Sequence, residues 1–317
     1  MTDPDDPGLR YDGRMSLLVV GSMAFDSIRS PFGEVERVVG GSATYFSLAA
    51  SYLAPVRLVS VVGKDFPEEM IRLLASRSID TEGLKIADGK TFHWKGYYEY
   101  DLNTAHTVAT ELNVFQDFAP VLPEKYRDTP YVFLGNIAPS LQLEILRQVR
   151  GPRLVALDTM NYWIENSPGP LREVIGKVDI VIINEGEVRE LAGEYNLIRA
   201  ARTLMGWGPS RIVIKRGEYG VLHLADGTMF AAPAYPLETI FDPTGAGDSF
   251  AGGFMGYLAG LGDGEISEND YRLATMYGSA IASFTVEAFS TRKLQTLTPD
   301  DISDRLGSFQ ALTEFRV

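Results

Sequence analysis

Cysteine is absent from the 317 residues. Disulfides and thiolate metal sites are therefore closed to this chain, which suits a reducing compartment, and the expectation is a cytoplasmic protein. Histidine is scarce too. His93, His106 and His223 are the only three, too few for a multi-histidine metal centre. Long apolar runs are missing: none approaches the roughly 20 residues that span a bilayer. The start, MTDPDDPGLRYDGR, has neither the basic flank nor the apolar stretch of a secretory signal. We expect no membrane partner and read residues 1–14 as a disordered tail. Positive charge is in deficit, with 29 Lys and Arg against 42 Asp and Glu, a net charge of −13. Such a surface repels phosphate backbones and anionic lipids, so nucleic acid is not an expected partner. A small anion remains acceptable, because a local site can oppose the global field.

What is present is an alternating pattern. The runs LLVVG (17–21), VRLVSVVG (56–63), YVFLG (131–135), RLVALD (153–158), VDIVIIN (178–184) and SRIVIKRG (210–217) are short, β-branched and mostly apolar throughout. That is the signature of parallel strands covered on both faces. Helical patterns over 41–53, 67–77, 139–149, 185–193 and 197–206 lie between them, so we expect an α/β fold with a doubly wound, mostly parallel sheet flanked by helices. GVLHLADGTMFAAP reads as a hairpin turning at Asp226-Gly227, and 245–260 and 268–287 read as a helical end. One segment breaks the rhythm. Residues 90–115 are rich in aromatics and threonine with polar alternation, as expected of a half-exposed antiparallel strand pair. With 25–39 it is expected to form a small β-sheet that covers a cleft or pairs with another subunit. The domain expectation is thus one unit over 15–317, with lid strands at about 25–39 and 90–117.

Two stretches come near known phosphate-binding motifs without matching them. GLKIADGKT (83–91) is close to a P-loop, but Gly83 and Gly89 enclose five residues rather than four, and an aromatic strand follows where a helix is needed. It reads as a turn between strands. A dinucleotide fingerprint is also missing: the first strand ends in GSMAFD with a single glycine, which disfavours a nicotinamide oxidoreductase. FDPTGAGDSFAGGF (241–254) is different. Thr244 can cap a helix here, and Gly245-Ala246-Gly247 crowd backbone N–H groups at its start, a ready anion site. Asp248 falls in the first turn, where it either complements the helix dipole or takes a proton from a substrate.

The string DPTGAGDSF strongly resembles the signature D-T-x-G-A-G-D-x-F of the PfkB carbohydrate kinase, or ribokinase-like, family. Only Pro243 departs from it, standing where Thr is common. The likeness runs from about Leu17 to about Phe289, with shorter landmarks in the expected order: GSMAFD at 21–26, the glycine pair Gly40-Gly41, NEGE at 184–187 and KRGEYG at 215–220. The resemblance implies transfer of the γ-phosphoryl of ATP to an alcohol, with Mg2+. Asp248 would be the general base, and the amides of Gly245, Ala246 and Gly247 the anion hole. Asp26, Gly40 and Gly41 would meet the substrate. Lys215, Gly217, Gly220 and Thr244 would lie beside the nucleotide, and Asn184 and Glu187 would place Mg2+, mainly through water. Asp242 with Thr244 would form a monovalent-cation site, hence a K+ expectation.

Several of these residues have plainer readings that the sequence leaves open. Asp26 could be a turn residue, Asn184 a helix cap and Lys215 a solvated strand end. Many relatives carry Asn where this chain has Tyr45, in GGSATY. A phenol cannot copy an amide, so Tyr45 either stacks on substrate or belongs to the core. Tyr97, Tyr98, Tyr100 and His106 read as sheet-face residues, one or two of which could cover substrate. The leading expectation is a kinase of a sugar or related polyol. The alternatives are a nucleoside kinase of the same family and a non-catalytic ligand sensor on this fold. A homodimer through the lid strands is the expected assembly.

Overall fold

The structure, a computed structural model, describes residues 15–314; the tail expected over 1–14 lies outside the described residues. In chain order the strands are β1 (Leu17–Val20), β2 (Ala24–Ser30), β3 (Gly33–Gly40), β4 (Val56–Gly63), β5 (Ile79–Ala87), β6 (Phe92–Tyr98), β7 (Ala105–Glu111), β8 (Tyr131–Leu134), β9 (Leu154–Leu157), β10 (Ile180–Asn184), β11 (Arg211–Lys215), β12 (Val221–Ala225) and β13 (Thr228–Ala232). Nine of them make one sheet in the order β13-β12-β11-β10-β9-β8-β1-β4-β5. The run from β5 to β11 is parallel, and the β12–β13 hairpin adds the antiparallel edge.

The central strands are apolar on both faces because both faces are covered. Leu17, Val19 and Ile182 lie with the helices Ser42–Ala50, Ala246–Gly260 and Glu268–Thr285, while Leu18, Val20 and Ile183 pack on the other side. The first of these layers is tight. A Cβ on Gly252 would come within 2.5 Å of Phe46 O, and one on Gly253 within 2.9 Å of Gly278 Cα, so glycine lets three helices meet at the backbone. This contact fixes where the helix that starts at 246 begins. Strand order reverses around β1, whose neighbours β4 and β8 belong to opposite wings. Open α/β sheets bind ligands beyond the carboxyl ends of strands at such a switch point.

β5 is the strand that the sequence reading missed. Gly83–Ala87, expected as a turn, are its carboxyl half, paired in parallel with Val59–Gly63. As an edge strand it is half-exposed and carries charges, so it lacks the apolar run that marks its neighbours. The helices Asn161–Asn166, Pro168–Ile175 and Pro299–Thr313 were likewise not anticipated.

The lid is a separate four-stranded sheet of order β3-β2-β6-β7. β6 and β7 pair antiparallel as expected, and β2 joins β6 in parallel. The lid touches the body at several points. Ser30 Oγ donates to Phe241 O at 2.7 Å, Ser290 Oγ to Val39 O at 2.6 Å, and Thr244 Oγ1 to Tyr98 Oη at 3.1 Å. At its tip, Asn103 lies so close to Gly217 that a Cβ there would collide with its amide oxygen. Among the described residues no helix is long and apolar enough to cross a membrane.

Candidate active site

The floor of the cleft is the start of the helix Ala246–Gly260. Gly245 is its N-cap, in the left-handed region at φ 77°, a conformation that glycine takes without strain. This turn leaves Thr244 outside the helix, which corrects the expectation that Thr244 caps it. No side chain caps this end. Thr244 instead donates its N–H to Asp242 Oδ1 at 2.9 Å and its hydroxyl to Tyr98. Ala246 N–H is engaged by Pro243 O at 3.1 Å. The amides of Gly245, Gly247 and Asp248 have no acceptor among the described residues. The result is a first turn with free donors at the positive end of the helix dipole.

Asp248 sits in this turn, half-exposed at the cleft floor yet dehydrated enough that burial pushes its carboxyl up to about 7. The neighbouring Asp158 adds to the rise and Lys215 opposes it. Lys215, at the end of β11, is neither solvated nor free. Its Nζ is 2.6 Å from Asp158 Oδ2, and a Cβ on Gly247 would lie 3.0 Å from that ammonium. Burial works against its charge, but Asp158, Glu187 and Asp248 outweigh it and hold its pKa above the ordinary lysine value. One buried cation thus stands among three carboxyl groups beside the anion cradle.

Asp158 is the member of this group that the sequence reading missed. It follows β9 and is 4% exposed, and Oδ1 accepts from Thr159 N–H at 2.8 Å. The available signal was RLVALD, an apolar strand ending in an acid at a carboxyl end, the same position that marks Lys215 and Asn184.

Asn184 and Glu187 close a capping box on the helix Glu185–Ala192. Asn184 Oδ1 accepts Glu187 N–H at 2.8 Å, and Glu187 Oε2 accepts Asn184 N–H at 3.0 Å. Glu187 is buried, and burial together with Asp158 raises its pKa to about 7. No group of three acidic or histidine side chains among the described residues could hold a metal ion. Gly217 and Gly220 take φ 55° and 81° around a tight turn closed by Arg216 N–H on Gly220 O.

The lid side of the cleft is acidic. Asp26 is not a turn residue: it lies in β2, 4% exposed, with its carboxylate packed on Gly40 Cα and bonded by the Gly41 amide. Burial, then Asp242 and Asp248, push its carboxyl up to about 8. At neutral pH it therefore carries its proton and offers one donor and one acceptor, which matches a pair of hydroxyls. Asp242 is fully buried and receives Thr244 N–H and, at 3.4 Å, Ser290 N–H. Tyr45 is a core residue, 1% exposed, whose ring lies under Gly245. Its hydroxyl has no hydrogen-bond partner among the described residues, and burial with the surrounding acids holds it protonated.

A cluster of this kind has a stability signature. Folded Asp26 keeps a proton that the unfolded chain releases near pH 4, so the fold weakens as pH rises from about 4 to about 8. Asp26→Asn removes that cost. We expect the variant to be more stable than wild type by about 1–3 kcal/mol at pH 8, with the gain vanishing near pH 4. Urea unfolding at the two pH values measures it, and equal stabilities at pH 8 would contradict the assignment.

A large, mostly parallel α/β sheet with a small separate β-sheet is the ribokinase-like fold. A candidate ribokinase II from E. coli, solved in complex with ATP and Mg2+, superposes with a TM-score of 0.76 over 92% of this chain and 99% of its own, at 19% identity. The sequence goes further: the family model for pfkB family carbohydrate kinases matches residues 15–297. The chain belongs to the pfkB family, and it is a kinase that transfers a phosphoryl group to an alcohol. It is 37% identical over 265 residues to a cytidine kinase of Thermococcus kodakarensis, covering 82% of this chain and 93% of that one. It is 29% identical over 302 residues to a nucleoside kinase of Methanothermobacter thermautotrophicus, covering 90% and 92%.

Proposed function

We propose that this kinase uses ATP to phosphorylate a hydroxyl on a sugar ring, and that the ring is carried by a nucleoside. The observation that carries the phosphoryl-transfer site is the uncapped helix start at 245–248, with free amides and the Asp248 carboxyl in its first turn and the Lys215 ammonium of β11 beside Gly247. In the step, the acceptor oxygen bonds to the γ-phosphorus as the bond to the β,γ-bridging oxygen breaks. Asp248 takes the hydroxyl proton, and ADP leaves. The Gly245 and Gly247 amides hold the equatorial charge with Lys215. Asn184 and Glu187 would hold Mg2+ through water, where it supplies charge neutralisation on the phosphate oxygens. Asp26 would orient the ring through its hydroxyls, beside Gly40 and Gly41.

Two observations favour a nucleoside over a free sugar. The relatives of 37% and 29% identity are named for nucleoside phosphorylation. The Asn common in relatives that act on sugars is replaced by Tyr45, whose hydroxyl is buried among acids. Those acids also make the acceptor side unfavourable for an anionic substrate. A homodimer paired along the lid edges β3 or β7 is the assembly that accompanies this reading.

ADP release on a panel of cytidine, uridine, adenosine, inosine, ribose, fructose and myo-inositol tests the proposal. Turnover with at least one nucleoside, exceeding that with every free sugar, is expected. Absence of ADP release with all acceptors would refute it. Running the panel in sodium and then potassium buffer tests the cation role of Asp242, which equal rates would remove.

A further inference from the structure

We propose that the indole of Trp94 is the platform on which the planar base of a nucleoside acceptor stacks, and so the residue that separates nucleosides from free sugars at this site. The inference rests on the reading of the cleft as a kinase of ring hydroxyls. β2 and β6 are parallel neighbours with Asp26 opposite Trp94 and Ile28 opposite Gly96. Side chains in register leave a sheet on the same face, so Trp94 emerges beside Asp26. That face looks onto the catalytic floor, because the Asp26 carboxyl feels Asp242 and Asp248, and Tyr98, four residues beyond Trp94, reaches Thr244.

The indole lies flat on the strand. A Cβ on Gly96 would collide with its Cζ2 and Cη2 atoms, so only glycine leaves the ring that bed. Its one polar atom is spoken for: Nε1 donates to Thr107 Oγ1 of β7 at 3.1 Å. The hydrogen bond and the glycine bed hold the ring in one orientation. Trp94 nevertheless remains half-buried rather than buried, which leaves part of it accessible. The outward face of the lid differs, since Tyr97 already stacks on His106 at 4.8 Å and carries Arg29 at 5.3 Å.

A fixed, flat, apolar ring, one strand from the acid that takes ring hydroxyls, suits an acceptor whose sugar is joined to an aromatic plane. Every nucleobase has a π-face to offer, and a free pentose has none. The contact is therefore expected to select for the presence of a base, with hydrogen bonds elsewhere deciding which base.

The test is calorimetric and kinetic on the full chain. Trp94→Leu should weaken cytidine binding, measured without ATP, about 5- to 100-fold. Its affinity for ribose should stay within about threefold of wild type. Trp94→Phe, which keeps an aromatic face, should recover most of the loss. Cytidine should quench the tryptophan emission of the wild type but not that of Trp94→Phe, in which Trp163 and Trp207 remain. Unchanged cytidine affinity in Trp94→Leu, or equal losses for cytidine and ribose, would overturn the platform. A wild-type enzyme that turns over no acceptor would sink the kinase reading alone, since the binding comparison decides the platform without catalysis.

Discussion

Asp248→Asn is expected to lose about 10²–10⁴ in kcat, equivalent to about 3–5 kcal/mol of barrier, with little change in acceptor KM. Asparagine keeps the volume and the place in the first turn but cannot take a proton. A dipole-complementing role alone would be worth about 0.3–1 kcal/mol of stability and would leave turnover near normal, so the size of the loss decides between the two roles. Folding should not suffer, because burial already makes an ionised carboxyl unfavourable there. The pH profile adds a second readout. A base must be ionised to act, and the Asp248 carboxyl is raised to about 7. Wild-type kcat/KM for the acceptor should therefore climb from about pH 6 towards 8 and fall again above, where Asp26 gives up the proton it offers the acceptor. The residual activity of Asp248→Asn should lack the rising limb. A variant with near-normal turnover, or one that retains the limb, would remove Asp248 from the role of base.

What could be read from the sequence follows from how the site is distributed along the chain. The anion cradle and Asp248 are contiguous, and a helix start made of Gly245-Ala246-Gly247 has few other uses, so they stood out at once. The central strands were legible for a related reason: Ile180–Ile183 are apolar throughout because both faces are covered. β5 was not, since IDTEGLKIA mixes charge into a half-exposed edge. The cap was misplaced by one residue because Gly245 takes a positive φ, and composition does not report φ. Asp158 was beyond reach as a site residue, and Tyr98 was named only as one of four lid side chains of which one or two could cover substrate. Each is unremarkable in its own segment and acquires meaning only across long sequence separations, as when Tyr98 meets Thr244 146 residues away or Asp158 meets Lys215 57 residues away.

The fold and the chemistry meet at that last pair, and removing Lys215 is the second perturbation with a large expected effect. The Lys215 ammonium stands among Asp158, Glu187 and Asp248, and its side chain is 19% exposed against 6% for Asp158. Deleting one partner of a buried pair leaves the other uncompensated, at a cost of about 3–5 kcal/mol. Lys215→Met should therefore lower the unfolding midpoint by roughly 10 °C. It should also move the pH limb of any surviving activity to higher pH, because Lys215 is the group that holds the Asp248 and Glu187 carboxyls down.

Asp158→Asn should be the milder change. Its loss leaves the ammonium with two carboxyl neighbours, and it removes a charge that raises both Asp248 and Glu187, so the limb should move to lower pH. The double variant should be more stable than Lys215→Met alone, a positive coupling that a double-mutant cycle resolves when it exceeds about 0.5 kcal/mol. The asymmetry is the discriminating result. A lysine that merely tethers Asp158 predicts equal losses from either deletion, whereas a lysine that neutralises three carboxyls predicts a larger loss from its own removal and opposite shifts of the pH limb.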